Sequence, residues 1–198
     1  MGIPHFLVIP YPILGHVNPL MQLSEALAKH GCNITFLSTE FSQKQANSVG
    51  SGLHSLKGSS RIKFVTLPDG LGPEDDRSDH KKLIFSIRSN MPAMLPNLIQ
   101  DVNALDAHNK INCIVVTINM GWALEVAHQL GIKGAFFFSG SATSFAACYC
   151  IPRLIDEQII HSDGALAISP RSLLNALTMH MTFNLVDDWS GNLGSPSN

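Results

Sequence analysis

A single histidine stands in a rigid, polar stretch near the N-terminus of this 198-residue chain. The stretch is PYPILGHVNP, residues 10–19, which follows the apolar run FLVI and contains His16. An imidazole with an ordinary pKa near 6.5 suits a general base at neutral pH. Pro12 fixes its own φ, Gly15 permits unusual backbone angles, and Pro19 suits the first turn of a following helix. We therefore predict that this stretch presents His16 for chemistry; the alternative is a histidine that serves only the turn.

Short apolar runs alternate with helical stretches along the rest of the chain. Strands are predicted at residues 6–10, 34–38, 62–67, 111–118 and 132–138. Helices are predicted at residues 18–30, 41–49, 79–105 and 121–130, and from residue 141 onward. Pro92 and Pro96 are expected to kink or break the third helix, and Ser139 or Ser141 is available as N-cap of the last. Near-continuous apolar strands, each followed by a helix, predict an α/β fold with a Rossmann-like, doubly wound parallel sheet.

In such a sheet, ligands collect beyond the carboxyl ends of the strands. His16 follows the first predicted strand, residues 117–121 follow the fourth, and residues 139–144 follow the fifth. Because topology brings these segments to one edge, we expect them to contribute to one site. The substrate-binding candidates at this edge are Ile13, Gly15, Asn119, Met120, Trp122, Ser139 and Ser141.

Composition argues against several other classes of protein. The formal charge of −2 shows no basic excess for nucleic acid, and no apolar run approaches the roughly 20 residues of a membrane span. The nine histidines form no HxH, HExxH or HxxxH pair, so no metal site is predicted. The four cysteines are dispersed and form no CxxC pair, which is typical of reduced thiols in a cytoplasmic protein. The acidic cluster at residues 74–76 is interpreted as a solvated loop.

Three motifs resemble one family. PYPILGHVNPLMQLSEALAKHG is similar to the opening of the plant family 1 UDP-sugar glycosyltransferases, with their P-Y-P-x-x-G-H-x-x-P motif. LPDGL at residues 67–71 and MGWALEVAHQLGIKGAFF at residues 120–137 also resemble that family, in the same order. The resemblance runs from about residue 4 to about residue 165. It implies the N-terminal, acceptor-binding half of a GT-B fold at residues 1–165, a divergent and partly disordered tail at residues 166–198, and no C-terminal donor domain in this chain.

The resemblance also implies an inverting sugar transfer. His16 matches the family's general base, a small hydroxylated metabolite would be the acceptor, and a UDP-sugar would be the donor co-substrate, with no tightly bound cofactor. Ser139 stands where relatives often place a Thr or Ser near the donor. Thr117 stands where most relatives carry an aspartate behind the histidine. A hydroxyl can accept an imidazole N–H but cannot stabilise the imidazolium that forms; we therefore expect Thr117 only to set the tautomer.

The family's donor-half signature is not found in these residues. Because the transfer needs donor and acceptor held together, we predict that this chain alone is weak or inactive, and that it uses UDP-sugar only if a donor half is supplied. The alternative is a non-catalytic module, derived from the acceptor half, that binds a small molecule or a partner protein through apolar surface. A nicotinamide-binding domain is disfavoured, since the glycines after the first strand do not form GxGxxG.

Overall fold

The computed structural model describes residues 2–49 and 61–161. The strands are β1 (His5–Ile9), β2 (Asn33–Thr39), β3 (Ile62–Leu67), β4 (Cys113–Val116) and β5 (Lys133–Phe136). The helices are α1 (Leu14–Lys29), α2 (Glu40–Val49), α3 (His80–Leu105), α4 (Trp122–Gln129) and α5 (Ala142–Asp156). The predicted alternation of strand and helix is confirmed. The first and last residues of the elements differ from the predicted ones by a few positions.

The five strands form one parallel sheet in the order β3-β2-β1-β4-β5. The chain therefore winds outward from β1 to β3 on one side and then crosses to β4 and β5 on the other. This confirms the predicted Rossmann-like, doubly wound sheet. The order reverses between β1 and β4, whose last residues Ile9 and Val116 are paired in register. Open α/β sheets form their ligand crevice at this point, beyond the carboxyl ends of the two strands.

The two faces of the sheet have separate apolar cores. Successive strand side chains point to opposite faces: Leu7 and Ile9 lie in a cluster with α3 and α4, whereas Val8 lies in a cluster with α1. The same alternation holds along β4. Since helices cover both faces, β1 and β4 are fixed from both sides, which gives the segments at their carboxyl ends a rigid base.

Helix α1 begins at Leu14, four residues before its predicted start. Ile13, with extended backbone angles, is the N-cap, and its carbonyl oxygen accepts the N–H groups of His16 and Val17 at 2.9 and 3.0 Å. His16 therefore lies in the first helical turn. One expectation is wrong, because Pro19 lies inside the helix and not in its first turn. Gly15 does not use the positive φ that glycine permits. The turn needs no special glycine geometry because the extended Ile13 already redirects the chain.

Helix α3 was expected to kink or break at Pro92 and Pro96; it continues through both prolines, so it does not break. Each proline removes one helical N–H. The helix is nevertheless held against the sheet by an apolar stripe spaced three to four residues apart. The buried apolar residues of this stripe are Leu83, Ile87, Met91, Leu95, Ile99 and Val102. Burial of a whole stripe outweighs the loss of two backbone hydrogen bonds.

The chain divides into two compact units, residues 1–139 and residues 140–198. In the second unit, the Ser141 hydroxyl accepts the Ser144 N–H at 3.1 Å and caps α5, as predicted. The predicted boundary at residue 165 and the predicted tail lie outside the described residues. A search of the described helices found none that is long and apolar enough to cross a membrane.

Candidate functional site

His16 lies just beyond the carboxyl end of β1, in the first turn of α1. Its side chain is half-buried, and Nδ1 is enclosed without a hydrogen-bond partner among the described residues. Burial lowers the pKa of His16 below its ordinary value because it penalises the charged imidazolium. The ring is therefore neutral at physiological pH, which is the state that a proton acceptor requires.

Thr117 follows β4 directly and is fully buried. Its N–H donates to the Ile9 carbonyl oxygen at 3.4 Å, which extends the β1–β4 pairing by one residue. Its Oγ1 accepts the backbone N–H of Tyr11 at 2.9 Å. The described residues contain no hydrogen bond between Thr117 and His16, so the expectation that Thr117 sets the tautomer of His16 is wrong. Thr117 instead fixes the backbone of the segment that leads to His16.

Tyr11 contacts His16 directly. The two rings are edge-to-face, with centroids 5.7 Å apart and an interplanar angle of 85°. Tyr11 is only 2% exposed, and its hydroxyl oxygen is buried without a hydrogen-bond partner in the described part of the chain. The exposed His80 ring lies 6.4 Å from the Tyr11 ring. Sequence reasoning missed Tyr11; an aromatic residue between two prolines, five residues before the histidine, was the available signal.

The segment from the end of β4 to the start of α4 contains three of the predicted substrate-binding residues. Asn119 is exposed and has a φ of 72°, a left-handed conformation that asparagine tolerates better than most residues. This turn sends Met120 and Trp122 back into the core that also contains Tyr11. Met120 is 1% exposed and Trp122 is 7% exposed, with Trp122 Nε1 buried and unpaired among the described groups. As the structure stands, both side chains support the site from inside the core.

The other candidates are distributed between the two units. Ile13 caps α1, and Gly15 follows on an open surface, where an added Cβ would have no heavy atom within 4 Å. Ser139 is exposed and is the last residue of the first unit, just beyond β5. Ser141 belongs to the second unit, where its hydroxyl is engaged in capping α5. The structure therefore brings Ile13, Gly15, His16 and Thr117 to the β1–β4 end of the sheet.

A second loop at the same sheet edge, residues 68–79, is organised around Arg77. Its guanidinium makes a bidentate pair with Asp69, with Nε to Oδ2 at 2.8 Å and Nη2 to Oδ1 at 3.1 Å. Its other N–H groups donate to the carbonyl oxygens of Leu71, Gly72 and Asp75. All five N–H donors of the guanidinium are therefore used within the loop.

The Arg77 guanidinium also lies 3.9 Å from the centroid of the Phe41 ring. An open cleft of about 390 Å³ beside it is lined by polar groups of this loop together with Pro12 and Thr39. Because the arginine has no donor left, this cleft has no free guanidinium for an anion. Among the described residues, His, Cys, Asp and Glu side chains form no group of three that could hold a metal ion.

Comparison with known proteins identifies a family to which most of the chain is similar. The family model for the N-terminal domain of glycosyltransferases matches residues 5–180, which extends beyond the predicted limit at residue 165. The chain is 38% identical over 173 residues to UDP-glycosyltransferase 83A1 of Arabidopsis thaliana, covering 85% of this chain and 37% of the relative. Among the first curated relatives, it spans roughly a third of their length.

Solved structures show the same fold at lower identity. A UDP-glucose:anthocyanidin 3-O-glucosyltransferase in complex with UDP aligns with a TM-score of 0.63 at 21% identity, over 77% of this chain and 33% of that structure. Arabidopsis thaliana UGT89C1 complexed with quercetin aligns with a TM-score of 0.56 at 21% identity, over 91% of this chain and 41% of that structure. The chain thus has the fold of the N-terminal half of these GT-B structures.

Proposed function

Because the chain belongs to the plant family 1 UDP-glycosyltransferases, whose N-terminal domain it matches, we propose that His16 is the general base of an inverting sugar transfer. The acceptor is a small hydroxylated metabolite, and the donor is a UDP-sugar. The observation that carries the proposal is the position of His16, a neutral, half-buried imidazole at the end of β1, where the strand order reverses. Ligands of open α/β sheets bind at that point.

In the proposed step, the acceptor hydroxyl gives its proton to His16 while its oxygen attacks the anomeric carbon of the sugar. A bond forms between the acceptor oxygen and that carbon. The bond from the carbon to the UDP phosphate oxygen breaks, and UDP leaves with the electron pair. Since Nδ1 is enclosed, Nε2 is the nitrogen that we assign to the acceptor hydroxyl. The other candidates for substrate binding remain Ile13, Gly15, Asn119, Met120, Trp122 and Ser141, and Ser139 remains our candidate for a contact near the donor.

The surroundings of Nδ1 make His16 a weak base by itself. To accept a proton at Nε2, the ring must carry its other proton on Nδ1, and this N–H has no acceptor among the described residues. The imidazolium would then be half-buried without a compensating carboxylate, whose role in a catalytic triad is to stabilise that cation. We therefore propose that Thr117 contributes to catalysis only indirectly, through the backbone of Tyr11.

The chain matches the N-terminal domain of its relatives and about a third of their length, and we propose that these 198 residues turn over donor only when a donor-binding half is supplied. The test measures UDP release from UDP-glucose with a panel of flavonols, simple phenols and terpenoid alcohols. The chain would be assayed alone, and also mixed with or fused to the C-terminal half of a family member. We expect little or no release by the chain alone and clear release in the combined protein. His16→Gln in the combined protein should lower release at least 100-fold, within the range that general base catalysis contributes.

Two results would contradict this proposal in different ways. Rapid UDP release by the 198 residues alone would show that no donor half is needed. Unchanged release in the combined His16→Gln protein would show that His16 is not the base. His80→Gln is the matched control, because His80 is exposed and its ring lies 6.4 Å from the Tyr11 ring.

A second candidate function is a non-catalytic binding module. The observation that favours it is the exposure of single apolar side chains near the N-termini of α1 and α3, where Leu14 is 72% exposed and Phe85 is 75% exposed. Such surface invites an apolar ligand or a partner protein. Saturable binding of one member of the acceptor panel, unchanged by His16→Ala and without turnover in the combined protein, would favour this function over the enzyme.

We also propose a cytoplasmic location. Cys32, Cys113, Cys148 and Cys150 are all free thiols. Free thiols are expected in a reducing compartment, where disulfides rarely persist. Localisation of a fluorescent fusion of the chain would test this directly.

A further inference from the structure

We infer that Tyr11 is the positioning residue for His16: its ring, held edge-to-face against the imidazole, fixes the orientation of the histidine. The rings have centroids 5.7 Å apart and an interplanar angle of 85°. This is the T-shaped arrangement that aromatic pairs prefer over stacking face to face. Orientation of His16 is relevant to catalysis only if the proposed function holds, but the contact can be tested without turnover.

Tyr11 itself has little freedom to move. Its backbone N–H donates to Thr117 Oγ1 at 2.9 Å, and its carbonyl oxygen accepts the Ile13 N–H at 2.7 Å. Pro12 restricts the backbone of the residue before it. The side chain is 2% exposed and belongs to the same core cluster as α3 and α4. A ring held at both its backbone and its side chain can act as a fixed surface for a neighbour.

His16, in contrast, has no hydrogen bond to hold its ring in the described part of the chain. Its backbone position is fixed by the first turn of α1, since its N–H donates to the Ile13 carbonyl oxygen at 2.9 Å. The helical backbone does not by itself prevent the His16 side chain from rotating. The edge-to-face contact with Tyr11 restricts that rotation, and Thr117 acts one step further away by holding the Tyr11 backbone.

Among the described residues, no ion pair or hydrogen bond to His16 Nδ1 substitutes for this contact. The titratable group facing His16 is the Tyr11 phenol, whose pKa is raised by burial and which is therefore neutral at physiological pH. His80, from the start of α3, lies against Tyr11 with a centroid separation of 6.4 Å. Burial is the cause of the lowered pKa of His16. Removal of the Tyr11 ring should admit water, so the pKa of His16 should rise toward its ordinary value.

The test is an NMR titration of the imidazole of His16 in the 198-residue chain, with the resonance assigned by its loss in His16→Gln. Tyr11→Phe keeps the ring and should leave both the chemical shift and the titration midpoint unchanged. Tyr11→Ala should raise the midpoint and remove the ring-current shift. Tyr11→Leu keeps apolar volume and should also remove the ring-current shift, which provides a second measurement if Tyr11→Ala does not fold.

Leu95→Ala is the matched control for general loosening of the core. Leu95 is fully buried in the same cluster, fifteen residues beyond His80, which corresponds to about 22 Å along a helix. Its truncation should leave the His16 resonance unchanged. Thr117→Val should broaden or shift that resonance in the direction of Tyr11→Leu, and Thr117→Ser, which retains the acceptor oxygen, should restore the wild-type signal.

An unchanged His16 resonance in both Tyr11→Ala and Tyr11→Leu would overturn the inference. An equal change in Leu95→Ala would also overturn it, because the effect would then come from loosening and not from the contact. Failure of the proposed function has a different signature: His16→Gln would leave UDP release unchanged in the combined protein, whatever the Tyr11 variants do to the titration.

Discussion

Two loops at the same edge of the sheet differ in whether their polar groups have hydrogen-bond partners. In the Arg77 loop, residues 68–79, every guanidinium donor has an acceptor within the loop. In the His16 turn, residues 10–16, the Tyr11 hydroxyl oxygen and His16 Nδ1 are buried and have no partner among the described groups. Buried polar groups in proteins are nearly always paired. The first loop therefore uses its polar groups to hold its own shape, whereas the second leaves two buried polar atoms unpaired among the described residues.

The Arg77 loop is held at more than one point. Asp69 is 3% exposed, and its Oδ1 also accepts the Leu71 N–H at 3.0 Å. The following Gly70 has a φ of 84° and packs so closely on Ser86 and Asn90 that an added Cβ would lie 2.2 Å from the Asn90 side chain. Only glycine fits there, since the position combines a left-handed backbone with no space. The loop is thus a structural unit at the border of the site.

The largest effect is expected from breaking the Arg77–Asp69 pair. Arg77→Met removes the cation and leaves the Asp69 carboxylate buried and uncompensated. Loss of one partner of a buried pair costs about 3–5 kcal/mol, and we expect a value at the low end because the Arg77 side chain is 13% exposed. Urea denaturation followed by circular dichroism would measure the free energy of unfolding.

Lys82→Met is the control for this variant. Lys82, in the first turn of α3, pairs with Asp75 of the same loop at 2.6 Å, but the two side chains are 49% and 35% exposed. Exposed pairs contribute little to stability, so the free energy of unfolding should not change measurably. Equal destabilisation by Arg77→Met and Lys82→Met would contradict the view that the buried pair organises the loop.

The next effect comes from supplying the His16 turn with the partner that it lacks. Thr117→Asp places a carboxylate at the end of β4, with one oxygen for the Tyr11 N–H and a second for the Nδ1–H of His16. A carboxylate there would stabilise the imidazolium. We expect UDP release by the combined protein to rise by roughly tenfold, equivalent to about 1.4 kcal/mol in the barrier.

Thr117→Asn is the control for Thr117→Asp, because asparagine has nearly the same shape as aspartate but no charge. The amide oxygen can accept one N–H but carries no charge, so release should stay near the level of the unsubstituted protein. A fall in release with Thr117→Asp would show that the neutral threonine does not weaken the base.

The contrast between the two loops explains how far the sequence could predict the molecule. Apolar runs that alternate with segments of helical spacing predicted the parallel sheet. A strand that is buried on both faces consists almost entirely of apolar residues, so it can be recognised in the sequence. The turn residues around His16 predicted a special position at the sheet edge. The helix start was misplaced because Pro19 was interpreted as a first-turn residue, whereas the extended Ile13 begins the helix earlier.

The contacts that fix the geometry of the candidate site could not be predicted from the sequence, because they join segments that are distant along the chain. The hydrogen bond from Tyr11 to Thr117 spans 106 positions along the chain, and no local pattern marks it. Arg77 and Asp69 are eight residues apart in an irregular loop, where neither helical nor strand spacing predicts a pair. The acidic cluster at residues 74–76 was interpreted as a solvated loop, and the exposed Asp76 agrees with that. Asp69 lies outside the cluster and is buried.

The smallest effect is a pH dependence of stability that belongs to the His16 turn. The unfolded chain has a histidine pKa of about 6.5, and burial lowers the pKa of His16 in the folded chain. Between these two values the unfolded state binds more protons, so the free energy of unfolding falls as pH decreases through 6.5 and levels off below the folded pKa. Comparison of urea midpoints at pH 7.5 and pH 5.5 would measure this loss, and His16→Gln should reduce it.

Two carboxylates of the Arg77 loop, those of Asp75 and Asp76, do not contribute in this window. The pKa of Asp75 is lowered chiefly by its hydrogen bond from Lys82, and that of Asp76 by the backbone N–H of Ser78. Both titrate below the ordinary aspartate value of about 3.9, so their contribution to stability is lost only at more acidic pH. If the difference in urea midpoint between pH 7.5 and pH 5.5 were unchanged in His16→Gln, the unpaired imidazole would not be the cause of the sensitivity to mild acid. The two loops would then not differ in how their charged groups affect stability in this pH range.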